Sequence, residues 1–292
     1  MPFMPAVHHQ TVTEELRRWI IAQAEQGCRP EDVVEAMKGA GWNEDVAIAA
    51  LEQTLRERLE ELKGKAQVSP QPPGVKVPEP TLGGAAVVTL SDGHQVQVLS
   101  SLSLPRVLVF GGLLSDDECE GLMALAAPRL ARSETVDNAT GGSEVNAART
   151  SDGMFFERGE APLIARIEAR IADLLRWPVD HGEGLQILRY RPGAEYRPHH
   201  DYFDPAHSGT ARILQRGGQR VATVVMYLNT PQAGGGTTFP DVGLEVAPLR
   251  GNAVFFSYDR AHPSTKTLHG GAPVEAGEKW VATKWLREGV FT

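Results

Sequence analysis

From Gln186 onward the apolar residues come in short runs cut apart by glycine and proline: Gln186 to Tyr190, Val221 to Leu228, Gly251 to Ser257 and Lys279 to Trp285. Runs this short, rich in β-branched and aromatic residues and bounded by turn formers, predict strands rather than helices. Helical patterns precede them. Ser115-Asp-Asp-Glu118 is a capping signal ahead of Leu122, Leu125 and Ala126, and Glu160 to Leu175 places Ile164, Ile167, Ile171 and Leu175 on one side. Val87 to Val98 flanks Asp92-Gly93 with two β-branched runs and reads as a hairpin, with Val107 to Phe110 as a further strand. Helices followed by regularly spaced strands predict an α+β fold, with helices packed on a sandwich or jelly roll.

The first sixty residues have a different character. Thr13 with two acids opens a helix carrying Leu16, Trp19, Ile20 and Ala24, which Gly27 ends. Pro30, Glu31 and Asp32 open a second, and Asn43 caps a third that extends to about Leu62. Met37 to Leu51 resembles a ubiquitin-associated three-helix fold, which implies a module able to bind a protein partner. A generic helical bundle accounts for the same pattern. Pro70, Pro72, Pro73, Pro78 and Pro80 then mark a linker. The expected organisation is a helical module over 1–64, a Pro-rich linker over 65–84 and a second domain over 85–292.

Composition excludes several classes. A net charge of -8 argues against nucleic acid as a partner. Cys28 and Cys119 are too few for a disulfide framework or a zinc ribbon. The first residues carry no basic start with an apolar core, so no signal peptide is expected; His8 and His9 read as a solvated tail. No apolar run is long enough to span a membrane. The expected location is cytoplasmic.

The chemistry centres on His199-His200-Asp201. In an extended segment His199 and Asp201 share a face and His200 points away. An imidazole and a carboxylate on one face, joined by a second histidine from elsewhere, make the facial triad of a non-haem Fe(II) oxygenase. Taken alone, the triplet is better explained by a polar loop.

Further blocks decide between these. Eight residues separate Tyr190 from His199-x-Asp201. There follow Gly217-Gly-Gln-Arg-Val-Ala-Thr223, Met226-Tyr-Leu228, Gly234-Gly-Gly-Thr-Thr-Phe-Pro240 and Gly251-Asn-Ala-Val-Phe-Phe256. Last comes His269, ten residues before Lys279 in Gly277-Glu-Lys-Trp-Val-Ala-Thr-Lys-Trp285. Together, and in this order, they resemble the prolyl 4-hydroxylase family of Fe(II)- and 2-oxoglutarate-dependent dioxygenases, from about Arg106 to the end. The resemblance implies a double-stranded β-helix, Fe(2+), 2-oxoglutarate as cosubstrate, O2, and ascorbate as a candidate reductant. It makes His199, Asp201 and His269 the metal ligands. His207 and His262 are the other histidines downstream; the first follows too closely in a Pro- and Gly-rich loop, and the second sits in a turn and is the fallback. It makes Lys279 the cation for the far carboxylate of 2-oxoglutarate, with Tyr190 and Thr237 as hydroxyl donors. A carboxylate inside a barrel needs such a partner. Tyr196, Arg220 and Trp285 match family positions at the substrate end of the pocket. The loops Asn138 to Asn146 and Asp204 to Arg216 are candidate lids; Arg149 has no assigned role.

The function this implies is hydroxylation of a prolyl residue in a protein or peptide, yielding succinate and CO2. A free amino acid or other small molecule as substrate, and a cupin-like binding protein without catalysis, are the rivals.

Overall fold

The computed structural model describes residues 10–25, 28–68, 71–133, 135–136, 143–144 and 150–292. His8, His9, Gly27 and Arg149 lie outside them, as does most of the 138–146 loop. The chain divides into two compact units, 1–71 and 72–292.

The first unit holds three helices: α1 (Glu14–Glu25), α2 (Pro30–Gly39) and α3 (Glu44–Val68). Acids occupy the first turn of each, where they oppose the helix dipole favourably. Ile20, Val33, Met37, Ala47, Ala50 and Leu51 form its core. The third helix outruns the expected end near Leu62, passes through Gly64 and reaches Val68, two residues before Pro70.

The second unit is built on a nine-stranded sheet. Its strands are β1 (Val87–Thr89), β2 (Gln95–Leu102), β3 (Arg106–Gly111), β4 (Ala131–Arg132), β5 (Asp152–Phe156) and β6 (Leu185–Tyr190). A second sheet begins with β7 (Tyr196–His199). Then come β8 (Arg220–Tyr227) of the large sheet, β9 (Thr237–Phe239) and β10 (Leu244–Val246) of the small one, β11 (Ala253–Ser257), β12 (His269–Gly271) and β13 (Lys279–Arg287). The large sheet runs β1-β2-β3-β11-β8-β13-β6-β5-β4 and the small one β10-β9-β12-β7. The pairs that join these strands are antiparallel. This is the expected jelly roll.

Helices α4 (Asp116–Ala126) and α5 (Pro162–Leu175) pack on one face of the large sheet. Ser115 and Glu118 close a reciprocal capping box at the start of α4. Glu118 is also gripped by Arg170 of α5, at 2.6 and 3.0 Å, so the cap doubles as a tie between the helices. Burial pushes the Glu118 carboxyl up, but Arg170, the Ser115 amide and Arg166 outweigh it and hold it down at about 2.

Period-two alternation sends each central strand into two cores. On β13, Trp280, Ala282 and Leu286 join the helix-side core, while Lys279, Val281, Thr283 and Trp285 face the small sheet. On β6, Leu185 and Ile187 go one way and Gln186, Leu188 and Tyr190 the other. These strands are covered on both faces, so their sequences read as near-continuous apolar runs.

The Pro-rich segment is a correction to the expected linker over 65–84. Its part from 72 onward belongs to the second unit. The Val75 amide donates to the Asp259 carbonyl (2.8 Å) and the Glu79 amide to Leu175 (3.2 Å), while Val77 and Leu82 pack on the helix-side core. Glu79 pairs with Arg106, and Pro78 and Pro80 are buried. Extended backbone with few internal bonds lies flat on a folded surface when alternate side chains find apolar contacts, as these do. A protein starting at Pro72 is therefore expected to melt like the whole second unit. One starting at Ala85 loses the contacts of Val77 and Leu82, worth roughly 2–4 kcal/mol together. Its melting temperature should fall by roughly 4–16 °C, measured by calorimetry. Equal melting of the two proteins would return the segment to a passive linker.

Candidate active site

The site forms between the sheets. Strands β7 and β12 pair with His199 directly opposite His269, and their rings lie 4.4 Å apart between centroids. Asp201 follows β7 by two residues and completes a cluster whose ligand atoms all lie within 4.8 Å of one another. The Nε2 atoms of His199 and His269 each stand 3.5 Å from an Asp201 oxygen.

Both histidines are oriented by the same local device. The Nδ1 of His199 bonds the Arg197 carbonyl (2.9 Å), and that of His269 bonds the Thr267 carbonyl (3.0 Å). A carbonyl only accepts, so each Nδ1 carries a proton, and in the neutral ring each Nε2 then turns its lone pair toward the cluster. Asp201 is held in turn. Thr223 donates to its Oδ2 at 2.6 Å, which leaves the Tyr258 hydroxyl, 3.0 Å from Thr223, as donor to Thr223. Burial lowers His269 to about 4, so it is a neutral imidazole at neutral pH. Burial pushes the Asp201 carboxyl up, but the neighbouring His269, His199 and Arg220 outweigh it and keep it ionised. Two imidazole lone pairs and a carboxylate are the protonation states that a metal requires.

One pocket is lined by this cluster together with Tyr190, Tyr196, Thr237, Lys279 and Trp285. Tyr196 stacks on His199, ring centroids 3.7 Å apart. Lys279 lies beside Tyr190 in the strand register, and its ammonium sits 5.5 Å from the Tyr190 ring and 5.9 Å from that of Tyr227. It is 4 % exposed and forms no hydrogen bond or ion pair among the described residues. Burial lowers it to about 8, with Glu245 opposing from a distance. Gly271 leaves the space over it open: a Cβ there would stand 3.6 Å from Nζ. Tyr227 donates to the Thr237 hydroxyl at 2.7 Å, which frees the threonine proton for the pocket.

Eight of the nine expected site residues thus line one cavity. Arg220 does not. It is buried against Glu183, which it meets at 2.6 and 2.8 Å, and its guanidinium covers the Trp285 ring at 3.9 Å. A β-bulge between Arg220 and Ala222 interrupts the alternation of β8 here, and a buried guanidinium without a carboxylate would be prohibitive; Glu183 supplies one. His262 is no ligand alternative in this geometry. It caps a short turn, its Nδ1 accepting from the Ser264 amide. His200 stacks on Tyr202 instead of joining the cluster. The 204–216 loop carries a short helix, α6 (Thr210–Leu214). Reading the sequence missed Thr223, Tyr227, Tyr258 and Gln186. Alternation from Tyr190 would have found Gln186, and alternation along β8 the pair Thr223 and Tyr227.

The 2OG-Fe(II) oxygenase superfamily profile matches residues 185–287. A probable prolyl 4-hydroxylase 3 of Arabidopsis thaliana is 41% identical over 208 residues, 64% of this chain and 71% of that protein. The chain belongs to the prolyl 4-hydroxylase family. Prolyl 4-hydroxylase 1 of the same plant is 43% identical over 202 residues, 63% of this chain and 69% of that one. The structure of a viral collagen prolyl hydroxylase from Paramecium Bursaria Chlorella virus-1 superposes with TM-score 0.48 at 29% identity, covering 62% of this chain and 95% of that one. The protein is a 2-oxoglutarate-dependent dioxygenase, of a family that uses Fe(2+) and 2-oxoglutarate.

The residues fit both groups. Two imidazoles and one carboxylate on one face suit Fe(II) with positions to spare. A buried ammonium without a hydrogen-bonded or ionic partner among the described residues suits the far carboxylate of 2-oxoglutarate. Two outcomes follow. His199→Ala, Asp201→Ala and His269→Ala should each lose Mn(II) binding by electron paramagnetic resonance, while His262→Ala keeps it. Lys279→Met should weaken 2-oxoglutarate by roughly 30- to 4,000-fold, the effect of about 2–5 kcal/mol for stripping a buried charge of its partner. The ammonium is charged below about 8 and neutral above it, so cosubstrate affinity should fall as pH rises. From pH 7 to pH 9 the loss should be about tenfold. Unchanged affinity in the variant, or a flat pH profile in the natural protein, removes Lys279 from this role.

Proposed function

We propose that the protein hydroxylates a prolyl residue within a polypeptide, converting 2-oxoglutarate to succinate and CO2. His199, Asp201 and His269 would hold Fe(II), which when bound supplies the oxygen chemistry. Lys279 would anchor the far end of 2-oxoglutarate, with Thr237 and Tyr190 as neighbouring hydroxyl donors. Tyr258 and Thr223 keep the Asp201 carboxylate from turning. Tyr196 and Trp285 wall the space where the substrate ring would lie. The Gln186 carbonyl oxygen and the Trp285 indole N–H are buried without hydrogen-bond partners among the described residues, and both residues line the same pocket. One accepts and the other donates, as a main-chain amide requires.

The observation that carries the polypeptide reading is a shortage of charge. Among the described residues, Lys279 and Asp201 are the only lysine, arginine or carboxylate side chains lining the pocket, and both are committed to cosubstrate and metal. A free amino acid would bury an ammonium and a carboxylate with nothing to meet either. A proline inside a chain carries neither. The relatives named as prolyl 4-hydroxylases support the residue type. Blocked peptides containing proline should stimulate succinate release and gain one oxygen on proline by mass spectrometry, in an assay with Fe(II), 2-oxoglutarate and ascorbate. Free L-proline should do neither. Hydroxylation of the free amino acid alone would overturn the polypeptide reading.

A further inference from the structure

We propose that a second cavity, next to the catalytic pocket, receives an acidic side chain of the substrate polypeptide close to its target proline. This rests on the polypeptide reading above and adds which polypeptides are preferred. The second cavity is the roomier, about 530 Å³ against about 50 Å³ for the catalytic pocket. The catalytic pocket can take a ring but not the residues that flank it. Those residues must run over its rim.

The two spaces share a wall. Trp285 lines the catalytic pocket, and Arg220, whose guanidinium lies 3.9 Å from the Trp285 ring centroid, lines the second cavity. Phe155, with its ring 6.4 Å from Trp285, lines it too and is half exposed. From that wall a row of alternating cations and rings leads outward. Arg220 and Arg287 each lie 4.8 Å from the Phe203 ring. Arg287 lies 5.2 Å from Phe291, and Arg216 covers Phe291 at 4.4 Å. A guanidinium that lies over a ring keeps the donors at its edge available, which is the geometry that meets a carboxylate side-on.

The charge is unbalanced. Four arginines line the cavity, Arg212, Arg216, Arg220 and Arg287, against two carboxylates, Glu157 and Glu183. Glu183 is consumed at the inner end, bonded by Arg220 at 2.6 Å and by Arg287 at 2.7 Å. At the outer end Arg216 donates to the Thr292 oxygen at 2.7 Å. Arg212, on α6, is exposed and forms no hydrogen bond or ion pair among the described residues. Glu157 is exposed and forms no ion pair with it. The outer half is therefore left, among the described residues, with one free guanidinium, that of Arg212. An apolar wall, a row of arginine donors and an open rim suit a polypeptide segment that carries an aspartate or glutamate. A lysine there would meet repulsion.

The test uses the whole protein, Fe(II), 2-oxoglutarate and blocked peptides with one proline, flanked on either side by Glu, Gln or Lys at otherwise identical positions. Oxygen incorporation is followed by mass spectrometry. The Glu peptides should exceed the Gln peptides in kcat/KM by on the order of tenfold, expressed in KM, as expected for one charge-assisted contact at a partly open site. The Lys peptides should be the poorest. Raising the salt from 50 to 500 mM should compress the series. In Arg212→Glu the ratio of Glu to Gln peptides should collapse or invert, with circular dichroism confirming the fold. Equal kcat/KM across the three peptides, or a preference untouched by salt and by Arg212→Glu, overturns the proposal. If no peptide gains oxygen while free proline does, the polypeptide reading fails, and this proposal fails with it.

Discussion

The pairing of His199 with His269 across two antiparallel strands is the contact on which the rest of the site depends. Seventy residues separate them in sequence, so only strand register can bring their imidazoles face to face. A slip of one residue in β7 or β12 would turn one ring out of the cluster. Glycine guards the register. A Cβ on Gly270 would come within 2.9 Å of the Tyr196 carbonyl oxygen, so only glycine lets the two backbones approach this closely beside the ligand. Strand pairing therefore sets ligand geometry before any metal arrives.

The large sheet supports that arrangement by acting as a partition. Strand β13 lies between β8 and β6, and each of the three strands gives one face to the helix-side core and one to the pocket. Apolar packing behind the partition holds the strands rigidly. The polar groups in front, Lys279, Thr283 and Thr223 among them, can then be buried without loosening the fold. Such groups are tolerated where each has a partner or awaits a ligand, and Lys279 is of the second kind.

Several other buried charges are structural. Lys284, on the helix side of β13, is 2 % exposed and pairs with Glu168 of α5. Glu183 binds Arg220 and Arg287 together. Buried pairs of this kind add little net stability, because desolvation offsets most of the attraction, but removing one partner strands the other. Their effect is positional. Glu183 fixes Arg220, and Arg220 lies against the ring that walls the catalytic pocket.

How much of this was legible in the sequence depended on whether the signal was local. Strand and helix positions were legible because Asp92-Gly93, Ser115 with Glu118, and the Gly- and Pro-bounded runs report on their own neighbourhoods. The cluster of His199, Asp201 and His269 with Lys279 was legible through an ordered set of motifs, since alternation accounts for only the first two. What the tertiary structure alone decided was the use of side chains whose partners are distant in sequence. Arg220 matched a pocket position and yet faces Glu183, because a guanidinium buried on a two-sided strand must follow its carboxylate. The proline segment read as a linker because proline run and spacer look alike in one dimension; only the apolar surface beneath Val77 and Leu82 makes it a strap. Thr223 and Tyr258 gave no local sign of holding Asp201, because a hydroxyl acquires that role only when folding brings it to a carboxylate and excludes the water that would otherwise serve both.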